Sequence, residues 1–230
     1  MKRKLLSMVL ATIMVAIVLC GCGSTEEISD KTPEVEEENS EESVQLERGA
    51  VEDGMYVNES IGIAFPITED MSILSDKEIV QIYGAGSDII VKDELYTAEQ
   101  MEEALQGTMC DIMIRFPDGR ANLAVVCENM DITANGNYMS EESYKTFLTA
   151  QLESMKSIQY ELVSEEYVEL GGKEYLAIEF QVNQGGMRVR QCYYVRQEAN
   201  YMIAFIASGY NDSEYMPEEV LETIVDPNTL

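Results

Sequence analysis

The spacing of apolar residues along the chain changes between a period of two and a helical period, and this predicts alternating groups of strands and helices. The predicted strands are 55–59, 61–67, 109–116, 121–130, 160–170, 174–184, 187–197 and 201–210. The predicted helices follow Ser75, Thr97, Ser140 and Met216. The predicted element order is therefore ββααββαββββα.

Polar residues and glycines set the bounds of the first two helices. Ser75 and Glu78 have the spacing of a capping box, which starts a helix at Ser75. Thr97 and Gln100 repeat that spacing and start the second helix. The segment Gly84 to Gly86 is expected to end the first helix, because glycine favours helix termini.

Tight turns between the strands predict an antiparallel sheet. The pairs Gly171-Gly172 and Gly185-Gly186 suit two-residue hairpins, in which both positions need positive φ. The segment 117–120 reads Pro-Asp-Gly-Arg and predicts a third turn. Several strands are apolar on both faces, so helices should cover both sides of the sheet. The predicted fold class is α+β, an α/β/α sandwich.

Three stretches of the chain resemble the opening hairpin, the late hairpin and the final strand of PsbP-like domains. They are Tyr56-Val57-Asn58 with Gly62-Ile63-Ala64-Phe65-Pro66, then Leu170-Gly171-Gly172-Lys173-Glu174-Tyr175, then Tyr201-Met202-Ile203-Ala204-Phe205. The resemblance spans roughly residues 55–225. It implies an α/β/α sandwich with a binding or assembly role rather than a catalytic one. Many bacterial members of that family are lipoproteins.

The start of the chain has the layout of a bacterial lipoprotein signal. Three basic residues precede an apolar run from Leu5 to Leu19, which leads into Leu19-Cys20-Gly21-Cys22. This motif predicts a signal peptide at 1–21, cleavage before Cys22, and a lipid on the Cys22 sulfur. The alternatives are an uncleaved membrane helix and an ordinary cleaved signal. The apolar run is shorter than the roughly 20 residues that cross a bilayer.

Residues 22–53 are predicted to be a disordered, acidic tether, and 54–230 a single folded domain. The stretch 25–53 carries twelve acids against two bases and has no aromatic residue, so it buries too little apolar surface to fold. The predicted domain carries 31 acids and 10 bases, a net charge of −21. We expect the tether to hold this domain away from the membrane surface.

Charge and composition exclude several functions. A surface this acidic repels phosphate backbones, so a nucleic-acid partner is not expected. The chain has no histidine, which removes Ser-His-Asp and Cys-His catalysis and the commonest zinc ligand. The expected function is a non-enzymatic, lipid-anchored extracytoplasmic module that binds a protein or an envelope component. One alternative is an envelope hydrolase that uses two carboxylates.

A basic stripe on one strand is the candidate binding site. Its members alternate on one face of the strand, and they are Arg188, Arg190, Tyr194 and Arg196. Guanidinium groups on such a face suit an anionic ligand or an acidic partner segment. The alternative is ordinary cross-strand pairing. A two-residue turn at Gly185-Gly186 places Arg190 opposite Gln181 and diagonal to Glu179.

A second candidate is a calcium loop. Its ligands would be Asp131, Thr133, Asn135 and Glu142, and a glycine at 136, between the last two, completes the spacing of a calcium-binding loop. The alternative is a plain Asn-Gly loop before the helix that Ser140 caps. If this loop binds calcium, a calcium-dependent binding module is a further functional alternative. No other cofactor is expected.

The cysteines of the domain allow one disulfide. A four-residue turn at 117–120 pairs Phe116 with Ala121 and brings Cys110 opposite Cys127. The alternatives are a three-residue loop, which shifts the register by one, and two reduced core thiols. Cys192 is expected to be an apolar filler.

Overall fold

The computed structural model describes residues 46–134 and 136–229. The predicted signal peptide, the lipidated Cys22 and most of the predicted tether lie outside these residues and stay predictions. None of the helices in the described part of the chain has the length and apolar character needed to cross a membrane.

The described residues form ten strands and five α-helices. The strands are β1 Ala50–Glu52, β2 Met55–Asn58, β3 Ile63–Pro66, β4 Ser72–Ile73, β5 Thr108–Arg115, β6 Ala121–Asn129, β7 Gln159–Leu170, β8 Lys173–Gln184, β9 Met187–Glu198 and β10 Tyr201–Tyr210. The helices are α1 Asp76–Lys92, α2 Ala98–Gln106, α3 Met130–Thr133, α4 Glu141–Glu153 and α5 Pro217–Leu221, with a final 3₁₀ turn at Pro227–Thr229. All eight predicted strands are present.

Seven strands form one antiparallel sheet in the order β4-β5-β6-β10-β9-β8-β7. The other three form a small antiparallel sheet, β1-β2-β3. The hairpins at Gly171-Gly172 and Gly185-Gly186 are confirmed, since Leu170 pairs with Lys173 and Gln184 with Met187. Consecutive hairpins thus bring β7, β8 and β9 side by side, which places the candidate site.

Two apolar clusters fill the two faces of the large sheet. The first joins side chains of α1, α2 and α4, such as Ile79, Met101 and Leu148, to one face. The second joins the small sheet and α5 to the other face, for example through Phe65 and Leu221. The predicted α+β class with covered faces is confirmed. The second face is covered mainly by the small sheet and only one short helix.

Helix α1 is longer than the sequence predicted. It passes through Gly84 and Gly86 and ends at Lys92, so the predicted stop at 84–86 is wrong. A glycine inside a helix costs about 1 kcal/mol relative to alanine. Complete burial of one isoleucine contributes about 1.5–3 kcal/mol. Since Ile79 and Ile90 at the two ends are both buried, packing outweighs the glycine penalty.

A β-bulge in β5 separates the two cysteines that were predicted to face each other. The predicted register is correct from Phe116 back to Ile112, which pairs with Val125. At Asp111 the register shifts by one, so Cys127 pairs with Met109 and Cys110 with Val126. Cys110 and Cys127 then lie in the two different core clusters, on opposite faces of the sheet. The possible disulfide does not form, and both thiols are free, which is the alternative of two reduced core thiols.

The folded domain includes residues that were assigned to the tether. Strand β1 pairs with β2 through Ala50 opposite Val57 and Glu52 opposite Met55. The connecting turn is Asp53-Gly54, with φ of 48° and 77°. This is the positive-φ geometry of a type I′ hairpin. The domain boundary predicted at residue 54 therefore cuts through a hairpin, and strand β1 of the domain lies before it.

Candidate functional site

Arg190, in the centre of the predicted basic stripe, is held by two internal ion pairs. Its Nε lies 2.9 Å from Glu179 Oε1, and its Nη1 lies 2.5 Å from Glu218 Oε1 on α5. Gln181 is its direct neighbour on β8. The cross-strand pairing considered from sequence is confirmed. Arg190 therefore fastens α5 to the sheet rather than facing a ligand.

Arg196 and Tyr194 are also structural. The Arg196 guanidinium pairs with Glu198, donates to the Ile61 carbonyl at 3.2 Å and lies over the ring of Tyr175. Its side chain is only 12% exposed. Tyr194 is partly buried against the second core cluster, and burial raises the pKa of its hydroxyl.

Arg188 differs from the other members of the stripe. It is exposed, and it forms no ion pair within the described part of the chain. Two residues before it, the turn Gly185-Gly186 ends β8. At either glycine an added Cβ would meet no atom within 4 Å, so the turn is open to solvent. Arg188 therefore presents its guanidinium at an open end of the sheet.

A cleft of about 500 Å³ lies at this end of the sheet, and we call it the Arg188 cleft. Its lining consists of Lys156, Ser157, Gln159, Asn183, Gly185, Gly186 and Arg188. Gln159, Asn183 and Arg188 form one cross-strand row over β7, β8 and β9. The strand register alone therefore places two amides and a guanidinium side by side.

Lys156 and Ser157 line the cleft beside this row, and the buried Asp93 holds their backbone in place. Asp93 is the residue that caps the C-terminus of α1. Its Oδ2 accepts hydrogen bonds of 2.8 Å from the backbone N–H groups of Lys156 and Ser157. Its Oδ1 accepts a hydrogen bond from the Ser157 hydroxyl. Burial alone would raise the pKa of Asp93, but these hydrogen bonds favour the charged form and lower it. The backbone at 156–157 is thus held in one geometry.

The side chains at the mouth of the cleft are held weakly. Lys156 Nζ lies 2.7 Å from Glu94, but the two side chains are 62% and 81% exposed. Such surface pairs contribute about 0–1 kcal/mol, so an anionic ligand can compete for the ammonium group. A guanidinium, an ammonium and two amides together suit a carboxylate or a phosphate group.

Sequence reasoning missed a buried polar cluster around Asp111. At the bulge, the Asp111 carboxylate accepts hydrogen bonds from the Gly49 N–H at 2.8 Å and from Asn58 Nδ2 at 2.6 Å. The same carboxylate accepts a hydrogen bond from the Tyr56 hydroxyl. Burial, and then the charge of Asp111, raise the pKa of Tyr56. Arg48 donates to the Cys110 carbonyl at 2.8 Å beside it. An aspartate inside an apolar strand was the available signal. Its contacts fasten the start of the domain.

The predicted calcium ligands have other contacts. Asp131 accepts hydrogen bonds from Tyr138 at 2.7 Å and Asn200 at 2.8 Å. The buried Thr133 donates to the Asn129 carbonyl at 3.0 Å. Glu142, in the first turn of α4, pairs with Lys145 at 2.8 Å.

Asn135, the remaining predicted calcium ligand, lies outside the described residues. No cluster of three or more acidic or cysteine side chains that suits a metal occurs among the described residues. Calcium binding stays a prediction without support from these contacts.

The thiols are buried and poorly ionised. Burial raises the pKa of Cys110 to about 11 and that of Cys192 to about 12. Burial also raises the pKa of Cys127. Nucleophilic chemistry needs a thiolate, so these groups act as small core residues.

No protein-family model and no curated protein sequence matches the chain. Among solved structures, the chain is similar to the solution structure of PsbP (CyanoP) from the cyanobacterium Synechocystis. The identity is 16% and the TM-score 0.46, over 82% of this chain and 98% of that one. The family that the hairpin motifs resemble is therefore among the structures found.

Two crystal structures are also similar. A protein from Bacteroides thetaiotaomicron is 11% identical with a TM-score of 0.40, over 75% of this chain and 48% of that chain. LpqN, involved in cell envelope biogenesis of Mycobacterium tuberculosis, is 10% identical with a TM-score of 0.41, over 72% of this chain and 83% of that one. Likenesses with TM-scores of 0.46 or less assign no ligand, partner or activity to this chain.

Proposed function

We propose that this protein is a lipid-anchored, extracytoplasmic binding module without catalytic activity. The Arg188 cleft binds an anionic group, a carboxylate or a phosphate, of a protein or envelope partner. The apolar run and the Leu19-Cys20-Gly21-Cys22 motif support the anchor and the location. The acidic stretch 25–45, with nine acids and one base, supports a tether between the lipid and the domain.

The observation that carries the binding role is the contrast between Arg188 and the other arginines of β9. Arg190 and Arg196 are neutralised by glutamates of the domain itself. Arg188 is exposed beside Lys156 in the Arg188 cleft. Residues 54–230 carry a net charge of −21, so two basic side chains at one cleft form a local exception that favours an anion.

The cleft supports binding better than it supports carboxylate-based hydrolysis. A glycoside hydrolase needs two carboxyl groups about 5–10 Å apart across the scissile bond. The described side chains that line the Arg188 cleft are basic, amide or hydroxyl groups. The basic and amide groups orient and hold an anionic group, and none of the lining side chains is a carboxyl group that could act as the acid or the base.

The binding role is tested by reversing one charge at the cleft. In pull-downs of the lipidated protein from intact cells, we expect Arg188→Glu to lose the partner that the native protein retains. Arg115→Glu is the matched control, because Arg115 is an exposed strand arginine outside the cleft lining. Equal recovery of the same partners by both variants would remove the cleft as the binding site.

A direct probe separates anion binding from other contacts. Titration with inorganic phosphate should shift the amide NMR signals of Gly185 and Gly186, which lie in the cleft. The Arg188→Glu variant should show no such shift, and added salt should weaken it. Shifts of equal size around Arg115 would mean non-specific binding of anions.

The anchor is tested at the two neighbouring cysteines. We expect Cys22→Ala to abolish incorporation of labelled palmitate, because the acyl chain is carried by the Cys22 sulfur. Cys20→Ala, two residues away, should leave the incorporation unchanged. If the native protein takes up no palmitate and keeps its first 21 residues, the apolar run is an uncleaved anchor and the lipid proposal is wrong.

A further inference from the structure

Strand β7 is an open edge of the large sheet. It spans 12 residues and pairs with β8 on one side. In the part of the chain that is described, no backbone group pairs with its other side. An open edge presents a row of N–H and C=O groups that a further strand can use.

The turn at Gly171-Gly172 shows which backbone groups face outward. The residues that flank a two-residue hairpin turn, here Leu170 and Lys173, bond to each other through their own N–H and C=O groups. Alternate residues then point the other way. The register of β7 against β8 shifts at a bulge between Leu162 and Ser164, and beyond this bulge the outward groups are those of Glu165, Tyr167 and Glu169.

The side chains along this edge are acidic and partly apolar. The strand carries Glu161, Glu165, Glu166 and Glu169 and no basic residue. The only described ion pair of these glutamates joins Glu165 to Lys145. Val163 and Tyr167 are 55% and 49% exposed. The edge therefore offers both negative charge and apolar surface to an added strand.

Charge decides which occupant fits. A second copy of β7 would bring glutamates opposite glutamates, and like charges directly opposite each other destabilise a strand pair. The chain's own stretch 25–45 carries nine acids and one base, so it is repelled in the same way. Opposite-charge pairs across strands are favourable. A strand rich in lysine or arginine is the complementary occupant.

We infer that β7 binds an extended, basic segment of a partner protein, which adds to the sheet as an eighth strand. The segment pairs with the stretch after the bulge, residues 164–170. Its backbone bonds to the outward groups of Glu165, Tyr167 and Glu169, and its basic side chains pair with the glutamates. This surface is separate from the Arg188 cleft and takes the opposite charge.

The test uses a short synthetic peptide that alternates lysine with threonine and valine. Its affinity for the full chain is measured by fluorescence anisotropy at physiological salt. A peptide methylated at alternate backbone nitrogens on its pairing edge keeps the same charge but loses hydrogen bonds. We expect that peptide to bind about tenfold more weakly, as for the loss of one or two backbone hydrogen bonds.

Two substitutions at one position separate charge from backbone pairing. Glu169→Gln and Glu169→Pro remove the same charge, but only the proline also removes an outward N–H group. Edge strands tolerate proline at such a position, because the missing N–H makes no hydrogen bond within the sheet. We expect Glu169→Pro to bind the peptide about tenfold more weakly than Glu169→Gln. Equal affinities of the two variants, or of the two peptides, would show general attraction to an acidic surface and overturn strand addition.

Hydrogen exchange of the unsubstituted protein gives an independent readout. Peptide binding should slow exchange of the amides of Glu165, Tyr167 and Glu169 and leave those of Arg188 and Gly186 unchanged. If the three edge amides exchange at the same rate with saturating peptide, β7 is not the binding surface.

Discussion

The Asp111 cluster and the Arg188 cleft are two polar regions of the same domain with opposite organisation. Asp111 is 9% exposed, and its carboxylate accepts hydrogen bonds from Gly49, Tyr56 and Asn58. At the Arg188 cleft the guanidinium is exposed and has no ion-pair partner in the described residues. One region is closed upon itself, and the other is open.

The difference shows how a polar group can be assigned to stability or to binding. A buried carboxylate is tolerated only if its hydrogen bonds are made inside the protein, and removing it leaves buried donors without partners. An exposed guanidinium bonds to water and exchanges that water for a ligand at low cost. The cleft combines the two cases. The buried Asp93 has its hydrogen bonds inside the protein, whereas Arg188 is exposed and free to bind a ligand.

The largest effect is expected at the closed region. Asp111→Ala leaves the Gly49 N–H, the Tyr56 hydroxyl and the Asn58 amide without their acceptor. We expect a loss of about 3 kcal/mol in the free energy of unfolding, since hydrogen bonds to a charged group are strong and the donors stay buried. The urea midpoint should fall by about 1–2 M.

Asp88→Ala is the control for this loss, because Asp88 is exposed on α1. A surface substitution of this kind changes stability by about 0.5 kcal/mol or less. If Asp111→Ala unfolds at the same urea concentration as Asp88→Ala, the cluster does not stabilise the domain, and the contrast with the cleft is lost.

A smaller effect is expected at Asp93, below the open region. Asp93→Asn keeps the side-chain shape but loses the charge that accepts from Lys156 and Ser157, at a cost of about 1 kcal/mol at pH 7. The lowered pKa of Asp93 means that its contribution is complete above the unfolded pKa of about 3.9. That contribution is lost as the pH falls through the lower pKa of the folded state.

Urea titrations between pH 7 and pH 2 check the sign of this dependence. The difference in unfolding free energy between the native protein and Asp93→Asn should shrink as the solution becomes acidic. A difference that stays constant over this range would show that the charge of Asp93 does not act on the folded state. Asp88→Asn provides the matched loss of a carboxylate at an exposed position.

Local sequence signals predicted most of the elements correctly. The capping boxes at Ser75 and Thr97 are both confirmed. The glycine-pair hairpins are confirmed as well, because positive φ at both positions is a strictly local requirement. The Asp53-Gly54 hairpin carried the same kind of signal. It was missed because the acidic composition around it favoured a tether.

The candidate site was predictable only in part. The alternation of arginines on β9 follows from the sequence, and so does the pairing of Arg190 with its neighbours on β8. The ion pair to Glu218 does not, because Glu218 lies 28 residues away on a helix whose position depends on core packing. Only the three-dimensional structure therefore shows that Arg190 and Arg196 are used in internal ion pairs and that Arg188 is not.

By itself, the sequence determined the class of fold, the antiparallel hairpins, the acidic surface and the absence of histidine chemistry. Each of these depends on composition or on residues close together in the chain. Tertiary structure decided the bulge at Asp111, the continuation of α1 through Gly84 and Gly86, and the choice of Arg188 over Arg190. These depend on burial and on contacts between distant segments, whose free energies exceed the local preferences that a sequence displays.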